Sequence, residues 1–400
     1  MTKEYDVMCA GHLCLDLTPR FPDTGAKSLG ELLVPGGCTN VHEARISTGG
    51  AVSNTGICMK ILGNRVCFSA RVGDDTFGRL IVERMQEHGS TDGIRVVAGV
   101  ASSYSVVLAP PRLDRCFIHN PGTNDTFCAD DVSAELVAQC RHFHFGYPQL
   151  MQGMFEDRGA TLERLFRTAR AAGATTSLDM TLADPEADAG KADWQRILER
   201  VLPHVDLFVP SVEESLYSFE PARFRAIRAE HPDEDLLGCL DIEAYRRLAA
   251  HALELGCRIA ILKGGSRGIY LRTRSASELS DTAPGHDVRA WGSREIWCPA
   301  FIAPEVLAAT GAGDAAVGGF LTGWLKGLPP ARALKIANCL GWQNVQALDA
   351  VSGLKPWHET LALLEQGIPL ADSSELLTKA WRWAAKPGVW FGPHDTAETP

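Results

Sequence analysis

The chain has no surplus of positive charge, no long apolar run and no paired-cysteine spacing, and each absence closes off a class of function. Its 400 residues carry 39 Lys and Arg against 49 Asp and Glu, a formal charge of −10, which leaves no broad basic face to grip nucleic acid or an anionic membrane. No stretch approaches the ~18 apolar residues that a membrane span needs. The opening Met-Thr-Lys-Glu-Tyr-Asp-Val runs into a strand-like segment without the charged, apolar and small-residue regions of a secretory signal. Twelve cysteines lie scattered from Cys9 to Cys339 with no C-x-x-C pair, so they read as reduced thiols and not as a disulfide scaffold. No internal repeat of about 20–50 residues and no low-complexity tract is found. A soluble, cytoplasmic protein is expected, with no nucleic-acid and no membrane partner. The AVILMFWYC set makes up 45 % of the chain and charged residues 22 %, an ordinary globular balance.

Short apolar runs alternate with helix-period segments that stop at glycine. Residues 53–62 end at Gly63 before 66–69, 77–88 end at Gly89, 162–172 end at Gly173 before 176–179, and 242–255 end at Gly256 before 259–262. Glycine just past a helix accommodates a left-handed cap, so this order predicts alternating α/β structure with a mostly parallel sheet. Strands also fit 6–10 and 206–209. Residues from about 12–48 and 96–128 break the alternation with extended β-branched and turn residues, and are expected to form a small antiparallel flap. The polar stretches 184–193, 220–235 and 273–287 read as insertions. The last segment carries Trp381, Trp383 and Trp390, too aromatic for a disordered tail, and is expected to dock. The expected division is a main domain over 1–365 and a docked C-terminal extension over 366–400.

The most informative segment is Ala309-Thr310-Gly311-Ala312-Gly313-Asp314-Ala315-Ala316-Val317-Gly318-Gly319-Phe320. Val317, Phe320, Leu321, Trp324 and Leu325 follow i, i+3, i+4, i+7, i+8, which predicts a buried helix from near Asp314 to Gly327. Gly311, Ala312 and Gly313 let backbone N–H groups converge at its positive end, where a phosphate or oxyanion would be held, and Asp314 is a carboxylate beside that nest. The same spacing also suits a plain helix cap with close-packing glycines. A dinucleotide fingerprint would want an acidic residue about 20 positions on, and none occurs between Asp314 and Asp349. The Walker pattern fails at Gly190-Lys191-Ala192. A carboxylate beside an anion nest suits phosphoryl transfer to an alcohol better than either.

Two stretches together resemble the ribokinase-like (PfkB) family of carbohydrate kinases. Ala308-Ala309-Thr310-Gly311-Ala312-Gly313-Asp314 is similar to the family's second signature, D-T-x-G-A-G-D. Gly49-Gly50-Ala51-Val52-Ser53-Asn54, continuing through Leu62-Gly63 to Val72-Gly73-Asp74-Asp75-Thr76-Phe77-Gly78, is similar to the first. The resemblance covers about residues 5–355 and implies a three-layer αβα fold with a mostly parallel central sheet and a small antiparallel β lid. It implies ATP as donor with Mg2+, Asp314 as the base that deprotonates the acceptor hydroxyl, and the backbone of Gly311, Ala312 and Gly313 as the anion hole. Asp16, Gly49, Gly50 and Asn54 match positions that bind sugar hydroxyls, and Gln149 matches a further polar contact beneath the lid. Ser211, Lys263, Gly265 and Gly268 fall on the nucleotide side, and Glu214 on the residue tied to Mg2+, through water. Taken singly, Asp16 also fits a chain turn, Gly49-Gly50 a flexible corner and Asn54 a helix cap.

The departures are specific. Ser211 stands for Asn in the family's N-x-x-E, Ala308 for the Asp that heads the second signature, and Lys263 for a frequent Thr, where a cation would offset phosphate charge or simply be a solvated strand-end lysine. His142-x-His144 reads as a packed pair rather than a metal site. The expected activity is ATP-dependent phosphorylation of a hydroxyl on a sugar or sugar-like molecule. The alternatives are a nucleoside kinase, with Phe117, Phe143 and Phe145 as walls for the base, and a non-catalytic sugar- or nucleotide-binding relative. A homodimer through the lid is expected on the ground that a lid leaves strand edges exposed.

Overall fold

Burial on both faces organises the chain around its N-terminal strand. The computed structural model describes residues 3–113, 116–232, 234–280 and 287–396. β1 (Tyr5–Gly11) is apolar almost throughout and lies between β8 (Cys140–Gly146) and β4 (Val66–Gly73), parallel to both. Beyond them run β5 (Ser90–Val97) on one side and β9 (Thr175–Asp179), β10 (Leu207–Phe208) and β11 (Ile259–Lys263) on the other, all parallel. Continuous apolar strands of this kind are what helices on both faces of a sheet require. Two large apolar clusters fill those faces, one around Phe143, Phe145 and Phe166 and the other around Phe68, Ile261 and Phe320.

Past β11 the sheet turns antiparallel through β12 (Gly268–Thr273) and β13 (Glu295–Pro299). The C-terminal segment then extends it: β15 (Val389–Phe391) pairs with β13, and β14 (Arg382–Ala384) pairs with β15. Arg294 holds Asp395 in a buried ion pair of 2.9 Å, and Trp381 is buried. The tryptophan-rich tail is therefore the edge of the main sheet, up to residue 396. The helices expected before Gly63, Gly173 and Gly256 run over Ala51–Ile61, Ala160–Ala171 and Ile242–Glu254, and those glycines are left-handed. Gly89 is not left-handed; a Cβ there would lie 2.6 Å from the Val66 carbonyl oxygen, so close packing requires it.

A second sheet lies across one end of the first. It has the order β3 (Ala44–Gly49), β2 (Cys14–Pro19), β6 (Tyr104–Leu108), β7 (Cys116–Asn120). Its outer pairs are antiparallel, as expected, while its central pair β2–β6 is parallel because both strands leave the body in the same direction. The insertion at 184–193 holds a turn of helix over Asp188–Lys191, that at 220–235 a helix over Pro221–Glu230, and that at 273–287 one over Ala276–Leu279, with 281–286 outside the described residues. No cysteine is paired among the described residues, and no described helix is long and apolar enough to cross a membrane.

Candidate active site

The C-terminal ends of β8, β9 and β11 meet the N-termini of two helices, Ala312–Leu325 and Val212–Phe219, under the lid. Open α/β sheets put ligands at that edge. Gly311 caps the first helix at φ +80°, and a Cβ on it would meet the Ala350 Cβ at 2.5 Å. The Ala312 N–H already donates to the Ala309 carbonyl at 3.2 Å, which leaves the Gly313 and Asp314 N–H groups at the helix mouth.

Asp314 is buried in that first turn. Its carboxylate accepts from Asn54 Nδ2 at 3.0 Å, from Thr55 Oγ1 at 3.3 Å and, through both oxygens, from the Tyr147 hydroxyl at 2.9 Å. Burial raises its proton affinity above that of an ordinary carboxylate, while Asn54, Lys263 and Tyr147 pull it part of the way back. A carboxylate so placed is a stronger base than a free one and is fixed in orientation. Asn54 lies inside its helix, whose N-cap is Gly50, so the capping alternative for Asn54 does not hold.

On the lid side, Asp16 sits on β2 with its carboxylate against Gly49, where a Cβ would come within 2.2 Å of Oδ2. Gly50, at φ +88°, lies where a Cβ would meet both the His12 ring and the His12 carbonyl at 2.5 Å. The two glycines are thus tied to two polar groups and are not a flexible corner. Burial pushes Asp16 up to about 6, opposed only by hydrogen bonds from Cys14 and Ser105. His119 reaches from β7 to Ser105 at 2.9 Å and stands 3.4 Å from His12, ring nitrogen to ring nitrogen. His12 Nδ1 is buried without a partner among the described residues. Gln149 accepts from the Thr181 N–H at 3.1 Å, and its Nε2 is likewise buried and unpartnered.

On the other side of Asp314, Lys263 is neither solvated nor free: its side chain is only 12 % exposed, its Nζ lies 2.7 Å from Asp179 Oδ1, and a Cβ on Gly313 would be 3.7 Å from it. Burial alone would lower this ammonium, yet the carboxylates of Asp179 and Glu214 override that and raise it. Ser211 and Glu214 cap each other: the Ser211 N–H donates to Glu214 Oε2 at 2.6 Å and the Glu214 N–H to Ser211 Oγ at 3.1 Å. That reciprocal box fixes Glu214 at its helix N-terminus without the amide that the family's Asn would bring. Gly265 and Gly268 belong to a turn closed by the Gly264 N–H on the Gly268 carbonyl at 2.7 Å; Gly268 also leaves room for the Cys298 carbonyl, which a Cβ would meet at 2.2 Å.

Asp179, Tyr147, His12 and His119 enter the site without having been singled out from the sequence. Asp179 ends a strand whose alternation was readable, but its partner lies 84 residues away. His142 and His144 are a packed pair, sharing the Ser177 hydroxyl at 2.7 and 2.8 Å. Phe143 and Phe145 point to the opposite face of the sheet and are completely buried against Phe127 and Phe166, so they do not wall the acceptor site. For a divalent ion, the fitting donors here are the carboxylates of Glu214 and Asp179, the latter with a buried, unpartnered Oδ2. Among the described residues a second donor cluster joins His231 and Glu234 of the 220–235 insertion to Cys239 just beyond it; its nitrogen and sulfur donors do not suit Mg2+.

A family model described as pfkB family carbohydrate kinase matches residues 6–357. A protein of Archaeoglobus fulgidus described as an uncharacterized sugar kinase is 22 % identical over 293 residues, 73 % of this chain and 96 % of that protein. Fructokinase-1 of Zea mays is 30 % identical over 139 residues, which is 34 % of this chain and 42 % of the fructokinase, so the match spans less than half of that enzyme. The solved structure of Arabidopsis thaliana ribokinase with ribose and ATP superposes with a TM-score of 0.66 at 19 % identity, over 91 % of this chain and 99 % of that one. That likeness establishes the fold: a large mostly parallel sheet with a small lid sheet.

Proposed function

The chain belongs to the pfkB family of carbohydrate kinases, and from that membership we propose that it moves the γ-phosphoryl group of ATP to a hydroxyl of a neutral, polyhydroxylated sugar or sugar-like molecule. The observation that carries this reading is the position of Asp314, buried between two polar clusters of opposite use: Asp16, Asn54 and the histidines on one side, Lys263 and the helix mouth on the other. Asp16 and Asn54 orient the acceptor, and Asp314 takes the proton from the hydroxyl that attacks phosphorus. The Gly313 and Asp314 N–H groups and the Lys263 ammonium face the negative charge on the transferring group. Glu214 and Asp179 are the residues that would hold Mg2+, which when bound neutralises phosphate charge. A closed lid keeps water from the base, and its exposed Ile46, Phe117 and Ile118 are the surface a homodimer would cover.

A sugar is favoured over a nucleoside because two of the three aromatic rings that a base would need are buried on the far face of the sheet. The test is coupled ADP release with Mg-ATP across pentoses, hexoses, keto-deoxy acids and nucleosides, beside Asp314→Ala. Turnover on one acceptor that falls by about 100-fold or more in the variant supports the base assignment. Silence across the panel while ATP or a sugar still binds by calorimetry would transfer the protein to the non-catalytic relatives.

A further inference from the structure

The Tyr147 side chain makes a contact that the reaction above does not explain. Its hydroxyl is 2.9 Å from each oxygen of Asp314, across the open end of the carboxylate. A phenol O–H pointing at the base is, chemically, an alcohol in the position where an acceptor alcohol has to be. The residue is held there at some cost: its φ of 66° and ψ of 47° are left-handed, a conformation uncommon outside glycine, and its N–H is tied to the Asp179 carbonyl at 3.2 Å. Burial and the charge of Asp314 raise the phenol well above its ordinary pKa, so it stays a donor. The residue is half-buried. Its ring stands 6.3 Å from that of His12, which in turn stands 5.2 Å from that of His119 on the lid.

We propose that Tyr147 is a stand-in for the acceptor hydroxyl, capping Asp314 in the empty site until the acceptor displaces it. This rests on the reading of Asp314 as the base. While the phenol is in place, no water can lie between Asp314 and the γ-phosphate. An acceptor hydroxyl that takes its place frees the ring to move against His12, and so passes the filling of the site to His119 and the lid. Tyr147 is a positioning residue: it touches the base and not the phosphoryl group. Without its hydroxyl, a water fits in the gap, loses its proton to Asp314 and attacks the γ-phosphorus while the bond to the β-phosphate oxygen breaks, giving ADP and inorganic phosphate.

The experiment compares wild type, Tyr147→Phe and Tyr147→Gly for acceptor-dependent ADP release and for phosphate release without acceptor, with ATP affinity measured by calorimetry. Glycine suits the left-handed position, so the second variant keeps the backbone. The expected result is at least fivefold more acceptor-independent hydrolysis in both variants, a KM for acceptor that falls severalfold in Tyr147→Phe because an exchangeable water and not a tethered phenol has to be displaced, and unchanged ATP affinity. A raised acceptor KM with no added hydrolysis would make Tyr147 an ordinary sugar contact, and a lower kcat with tight coupling would make it a structural support; either overturns the inference. If wild type turns over no acceptor, the parent reading falls and takes this one with it; if wild type is active and both variants remain coupled, only this one falls.

Discussion

Asp16 is a carboxylate kept in place against its own solvation, and replacing it by asparagine separates what it does for binding from what it costs the fold. Burial lifts its pKa from 3.8 to about 6, and the groups that oppose the shift are the neutral Cys14 and Ser105. At about 1.4 kcal/mol per pKa unit, this corresponds to about 3 kcal/mol of folding free energy lost once both folded and unfolded states are ionised. Because the folded value is the higher one, the loss begins as pH rises through 4, is about half complete at pH 5 and is fully present above about 7. Asn has the same shape and no charge to bury. Asp16→Asn should therefore stabilise the protein by up to about 3 kcal/mol at pH 7.5, by about half as much at pH 5, and scarcely at pH 4. The assay is urea unfolding followed by tryptophan fluorescence at each pH. The same variant should raise the acceptor KM by about 10- to 100-fold, the worth of a hydrogen bond to a charged group. Burial lowers His12 to about 3, so it is neutral in this window, and burial lowers His119 as well. Equal destabilisation at every pH would refute the reasoning and make Asp16 a structural hydrogen-bonding group.

Two further outcomes follow from contacts at the site. Lys263→Met leaves Asp179 and Glu214 buried without their counter-charge and should cost about 3–5 kcal/mol, most of it returned by adding Asp179→Asn; unfolding free energies that add without coupling would mean that the 2.7 Å pair is not energetically real. Gly49→Ala puts a methyl group 2.2 Å from Asp16 Oδ2, in a backbone conformation alanine tolerates, so acceptor KM should rise about tenfold with KM for ATP unchanged. Equal rises in both would show a general distortion of the lid.

What was legible in the sequence was local chemistry, and what was not was the choice of face and partner. Gly311 to Asp314 could be read as an anion turn or as a plain helix cap, both of which put small residues and a carboxylate at a helix start, and the helix over Ala312–Leu325 does begin there. The pair Gly49-Gly50 could be matched as a motif, yet its cause is the Asp16 carboxylate and the His12 ring, each more than 30 positions upstream in a different strand or loop. In His142-Phe143-His144-Phe145 the alternation of strand side chains already required the histidines and phenylalanines to part company. Which set would face Asp314 was decided by the packing of the Ala312–Leu325 helix on that side of the sheet, which no local pattern states. Lys263 is the sharpest case. As a lone lysine at a strand end it was equally a solvated group and a phosphate partner. Its place beside Asp179, brought alongside through β10, turns it into the charge balance of three carboxylates that would otherwise repel one another, at the place where the proposed reaction brings a polyanion. The same proximity that makes the cluster possible is what a single sequence does not encode locally, because it depends on the order in which strands from distant segments are laid into one sheet.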